Sequence, residues 1–307
     1  MPLDPAARLL LDMVRQSGAP PGHTLSPEQL REVTEVAAQA TGYEGAAVAS
    51  VTPREVDGVP ALVIRPEQAV TGELPVLVWL HGGGWVIGSA DQALPVARDL
   101  AAAAGCLVVD VDYRLAPEHR FPAALDDAMA VSRWVLERAG ELGGDRRRVA
   151  VGGDSAGGNL AAVVAQRLGG LAYQVLAYPV TDATWSQPSI RELGDGYLLT
   201  ADMLRWFGDH YLGGADPTDP EVSPLRADRS ALSGACPALV LTAEYDPLRD
   251  EGEAYADRLR EAGVATVVHR YEGQLHGFLS AGPTMPAGAV AVEEIGRHLR
   301  RVFGTAP

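Results

Sequence analysis

The stretch that decides the fold is VGGDSAGGNL, residues 151–160. A β-branched apolar run, Val149-Ala150-Val151, ends in two glycines. One serine then stands between Asp154 and Ala156, two more glycines follow, and an apolar Ala-rich run continues from Leu160 to Ala165. A solvated loop has no use for glycines on both sides of one hydroxyl. A strand that turns abruptly into a helix does: the residue at the tightest point is strained, and its neighbours must lack bulk so that strand and helix can close together. The helix that follows points its N-terminus at any negative charge developing near Ser155. Gly153, Ser155 and Gly157 form the G-x-S-x-G pattern, and Ser155 reads as a nucleophile.

The totals set the frame for that reading. A chain of 307 residues can bury a large core, as one big domain or two modest ones. The net charge of −15 repels phosphate backbones and argues against a nucleic-acid role. All 25 basic residues are arginine. The lack of lysine removes Schiff-base and pyridoxal-phosphate chemistry, a P-loop lysine and a Ser-Lys pair. Cys106 and Cys236 each begin an apolar run and read as small core residues. No CxxC or HExxH spacing asks for a metal, and no pattern asks for a cofactor. The opening MPLDPAARLLLDMVRQSG reads as a short amphipathic helix rather than a signal peptide. No run of about eighteen apolar residues is present, so no membrane span is expected, and the cytoplasm is the default compartment.

Eight short apolar runs read as strands, at 47–51, 60–65, 75–80, 106–111, 148–152, 173–177, 237–243 and 264–271. Helical patterns lie near 91–104, 122–140, 157–168, 248–262 and 287–302. Continuous apolar strands separated by helices predict an α/β fold, a mostly parallel eight-stranded sheet flanked by helices. The first two strands lack a helix between them and should form an antiparallel edge. Residues 1–42 form helix patterns before the sheet starts, and residues 182–225 interrupt the alternation between two strands, longer than an ordinary connection. They divide the rest into a core of two parts, 43–181 and 226–307. Within the insertion, LLTADMLRWFGDHYLGG has an N-cap at Thr200 and a Gly-Gly stop. Its Met203, Phe207 and Tyr211 share one face, with Leu204 and Trp206 beside them, as a core stripe or a lid.

Ligands of open parallel sheets bind beyond the carboxyl ends of the strands. The run 75–80 ends in HGGGW, His81 to Trp85, whose glycines let backbone N–H groups face a ligand, as an oxyanion hole requires. A serine also needs a base and an orienting acid, following it in that fold in the order acid, then histidine. The run 237–243 leads to Asp246 in EYDPLRDEG, and 264–271 leads to His276 in EGQLHGF. Asp250, the rival acid, falls about a turn into the next helix, and His269 lies inside the strand pattern.

HGGGW, GDSAGGNL, DPLRDEG, HGF and DYRLAPEHRFPAALDDA together resemble the hormone-sensitive-lipase-like esterases, bacterial family IV, of the α/β-hydrolase fold. The resemblance covers nearly the whole chain. It implies a serine carboxylesterase acting on short- to medium-chain esters, with a Ser155-Asp246-His276 triad, oxyanion donors from the backbone N–H groups of Gly83, Gly84 and Ala156, and a helical cap built from residues 1–42 and the 182–225 insertion. Asp112, Tyr113 and Arg114 are expected to hold the HGGG loop through an Asp-Arg pair, and Asn159 to brace the serine turn. Trp85, Trp185, Trp206, Phe207 and Leu275 are expected pocket walls. The partner is a small ester, and the chain is a monomer or homodimer. Three alternatives stay open: a non-catalytic ligand receptor on the same fold, an amide hydrolase and a true lipase.

Overall fold

The computed structural model describes residues 2–40, 42–67 and 72–305; the remaining positions of the expected cap and core segments lie outside the described residues. One sheet of eight strands forms the centre, comprising β1 (Val48–Val56), β2 (Val59–Pro66), β3 (Leu74–Leu80), β4 (Leu107–Val111), β5 (Gly144–Asp154), β6 (Tyr173–Ala177), β7 (Ala238–Tyr245) and β8 (Thr266–Leu275). Their spatial order is β1-β2-β4-β3-β5-β6-β7-β8. β1 pairs antiparallel with β2, and β2 with β4, while every later pairing is parallel. The antiparallel edge is where the missing helix placed it. β1 runs on through Pro53, tolerated because an edge strand has one side without a ladder partner.

β3, β4 and β6 are buried along their whole length, which explains why they read as unbroken apolar runs rather than alternating ones. Helices cover both faces. Helices α3 (Ala90–Ala104) and α10 (Ala287–Phe303) bury Leu100, Ile295 and Leu299 against Leu77 and Trp79 of β3. On the opposite face α4 (Ala123–Arg138), α5 (Ala156–Arg167) and α9 (Arg249–Glu261) bury Leu125, Leu160 and Tyr255 with Val76 and Val78. Burial of a single leucine or phenylalanine side chain contributes about 1.5–3 kcal/mol, so these two layers dominate the stability.

Four helices lie outside the alternation: α1 (Pro5–Ser17), α2 (Pro27–Ala40), α6 (Pro188–Leu193) and α7 (Ala201–Leu212). The Thr200 hydroxyl caps α7 by accepting from the Met203 N–H, and Gly213 ends it in the left-handed region at φ 57°. The two ends of the 182–225 insertion are clamped together. Buried Asp182 pairs with Arg226 at 2.9 Å, and the Ser223 hydroxyl accepts from the Ala183 N–H at 2.8 Å. Among the described residues no helix is long and apolar enough to cross a membrane.

Candidate active site

Three strands deliver the site. In the β3–β5 pairing Leu80 stands opposite Gly153, so the HGGG loop after β3 emerges beside the turn after β5. Ser155 occupies that turn at φ 55°, ψ −117°, a conformation costing on the order of 1–3 kcal/mol that the surroundings must impose. Its N–H donates to the carbonyl of Ala177, the last residue of β6, and its carbonyl accepts from Val180. α5 starts at the next residue. A Cβ on Gly157 would stand 1.9 Å from the Leu80 carbonyl oxygen, so only glycine lets α5 approach β3 this closely. The Asn159 amide nitrogen donates to the carbonyls of Val180 at 3.0 Å and Val222 at 2.8 Å, bracing the turn as expected.

Ser155 Oγ lies 2.9 Å from His276 Nε2, and His276 Nδ1 lies 2.7 Å from Asp246 Oδ2. β8 continues to Leu275, which makes His276 the first residue past the strand. Asp246 is fully buried at the end of β7, and its other oxygen accepts from the Leu248 N–H at 2.9 Å. That bond and the bond to His276 give Nδ1 the proton and leave Nε2 as the acceptor of the serine hydroxyl. Asp250, the rival acid, instead accepts from the Ser189 N–H and pairs with Arg249. His269, inside β8, bonds Glu294 of α10. The structure therefore brings the three expected residues into one hydrogen-bonded line and leaves both competitors outside it.

The HGGG loop is held from several sides. Tyr113 stacks under His81 with ring centroids 4.2 Å apart and donates its hydroxyl to the His81 carbonyl at 2.7 Å. Burial pushes the His81 imidazole down from its ordinary pKa, and Nδ1 donates to the Gly82 carbonyl. The expected Asp112–Arg114 pair does not form. Arg114 pairs with Asp127 at 2.7 Å on α4, while Asp112 accepts from the Ala90 N–H at the start of α3. Residues two apart share a face in a strand, but 112–114 lie past the end of β4, where the chain has left the pleat and the two side chains turn to different helices.

Ser155, His276 and Gly82–Gly84 line a cavity of about 360 Å³. Its wall includes Trp85, Trp185, Leu204 and Phe207, with Val180 and Leu199 beside them. Two expected wall residues are elsewhere. Trp206 lies one step around α7 from Phe207 and tilts against His210 instead, and Leu275 is fully buried in the layer under α3 and α10. One-residue offsets explain both, in helix phase for the first and strand pleat for the second. The cavity also runs past Ser89, Gln92 and Val96 of α3, a wall that the sequence reading did not include. Tyr178 is a further addition. It is fully buried at φ 37°, and its ring meets the His276 imidazole at 4.8 Å. Burial raises its phenol well above the ordinary value. Both cysteines are buried and unbonded to each other.

Fold and site geometry together define an α/β hydrolase, and the family model described as alpha/beta hydrolase fold matches residues 77–280. The chain belongs to the hormone-sensitive-lipase-like branch of that family. It is 40% identical to the carboxylesterase NlhH of Mycobacterium tuberculosis over 306 residues, covering 94% of this chain and 92% of that one. An ethyl acetate hydrolase of Pseudomonas putida is 41% identical over 298 residues, covering 91% of this chain and 92% of the relative. An ester hydrolase from the metagenome of Lake Arreo, solved with a bipyridine phosphonate derivative, superposes with a TM-score of 0.94 at 40% identity, covering 99% of this chain and 100% of that one.

Proposed function

We propose that this esterase hydrolyses carboxylic esters of short to medium acyl chain through an acyl-enzyme on Ser155. The observation that carries the reading is the unbroken line from Ser155 Oγ to His276 to buried Asp246 at the wall of an apolar cavity. His276 Nε2 takes the hydroxyl proton as Ser155 attacks the ester carbonyl, and Asp246 stabilises the imidazolium that forms. The backbone N–H groups of Gly83, Gly84 and Ala156 receive the oxyanion. Ala156 is the first residue of α5, so its N–H has no partner within the helix. His276 then returns the proton to the leaving alcohol, and a water activated by the same nitrogen releases the acid. Trp185 and α7 roof the cavity, and we assign residues 1–42 and 182–225 to a cap over it.

Two facts support the substrate class. The cavity volume lies near the lower end for small-molecule sites, which suits modest chains. The relatives named above also carry ester-hydrolase names. A non-catalytic receptor has less support, because His276 is present and hydrogen-bonded to both partners.

The test is hydrolysis of p-nitrophenyl esters from acetate to palmitate by wild type and Ser155→Ala. Turnover should peak at the short end and fall by at least about 10⁴-fold in the variant. Equal turnover by both proteins would overturn the assignment of Ser155, and a maximum at palmitate would overturn the chain length.

A further inference from the structure

Asp154 is the last residue of β5, one position before the proposed nucleophile, and acyl transfer as described gives it nothing to do. Its carboxylate reaches across to the loop after β3. Oδ1 accepts from the Gly82 N–H at 3.0 Å, and a Cβ on Gly82 would meet Oδ2 at 2.5 Å. The acid thus lies flat against the first peptide of the glycine run. Burial pushes Asp154 up to about 6, and the Gly82 N–H, His276 and the Tyr178 hydroxyl oppose that shift only in part. The acidic groups Asp110 and Asp112 lie on β4 and just past its end, with β3 between β4 and β5. A half-buried carboxylate at the cavity wall, with no arginine partner among the described residues, points to work done there.

The glycine run supplies the physical reason. Three consecutive glycines have little restraint of their own, so oxyanion donors built on them must be fixed from outside. Tyr113 fixes the His81 carbonyl, and the Gly83 carbonyl accepts from Val86 and Ile87. Between these two anchors, Asp154 is the acceptor for the Gly82 amide. We propose that Asp154 is a positioning residue for the oxyanion hole: its side chain fixes the Gly82 peptide and thereby the direction of the Gly83 and Gly84 N–H groups. The proposal rests on the acyl-transfer reading of the site and goes beyond it by naming what holds the donors.

The test compares Asp154→Ala and Asp154→Asn with wild type and Ser155→Ala on p-nitrophenyl butyrate, with a thermal midpoint for each. Asn keeps an oxygen that can accept from Gly82 and drops the charge, whereas Ala removes the acceptor. Asp154→Ala should lose about 10- to 100-fold in kcat with KM within about two-fold of wild type, the split expected when only transition-state stabilisation is lost. Asp154→Asn should recover kcat to within about five-fold of wild type. Wild-type kcat in the Ala variant would overturn the proposal. So would equal losses in Ala and Asn, because the acceptor would then not be what matters. If the Ala variant does not fold, the Asn variant decides alone, with a loss beyond about ten-fold overturning the proposal. A wild type without Ser155-dependent turnover would overturn the esterase reading itself, and this proposal with it.

Discussion

The serine turn and the helices outside the strand–helix alternation are built on different principles. Around Ser155 the backbone is crowded from every side. Residues 156–165 of α5 are all buried, the Gly157 position stands against the Leu80 carbonyl, and Ser155 is tied to β6 through its N–H and to the loop after β6 through its carbonyl. In α1 and α2 only Ala7, Leu11 and Leu30 are buried, while Leu9, Met13, Val33 and Val36 are each at least half exposed. Polar clips hold these helices instead. Arg31 donates to the carbonyls of Val86 and Ala116 and pairs with Glu118, and the Asp4 N–H donates to the Gly273 carbonyl. The contrast teaches that the serine turn is over-determined by close packing, while α1 and α2 are held by a few polar contacts.

Two substitutions probe that contrast, the larger effect first. Gly157→Ala places a Cβ against carbonyl oxygens of β3 and the following loop, backbone atoms that cannot swing aside. It should destabilise by more than about 3 kcal/mol in chemical denaturation, through overpacking and a displaced elbow. A loss under about 1 kcal/mol would break the claim that the turn is over-determined. Phe207→Ala acts on the other region. The Phe207 ring lies on Gly84, within 2.2 Å of where a Cβ would be, and lines the cavity. Its removal should leave the protein folded, cost about 3 kcal/mol, the lower end for a buried phenylalanine because the ring borders a cavity, and move the acyl-chain optimum toward longer esters. An unchanged optimum would show that α7 does not set the pocket length.

The difference between the regions also explains what the sequence could reveal. Residues of the turn and of the strand ends are constrained by spacing: glycines flank Ser155, and Asp246 and His276 each follow an apolar run. One strand-end argument was enough to prefer Asp246 over Asp250. The central strands β3, β4 and β6 were legible because buried parallel strands are continuous apolar runs, whereas the edge strands β1 and β8 are partly exposed and run on past the expected ends, to Val56 and Leu275. Side-chain partners across the molecule were not legible. Arg114 could have met Asp112 or Asp127, and only the third dimension decides for Asp127. Trp206 and Leu275 missed the cavity by one step of helix phase and one step of pleat. Tyr178 and Asp154 required three loops, after β3, β5 and β6, to be placed together, which no local pattern encodes.

The central claim is that Ser155 is the activated nucleophile of this site. Covalent labelling with a p-nitrophenyl phosphonate, followed by mass spectrometry of the digested protein, tests it most directly. The account predicts one phosphonyl group per chain, carried by the peptide containing Ser155, and no label on Ser155→Ala. Label on another residue, or none on a folded wild type, would contradict it.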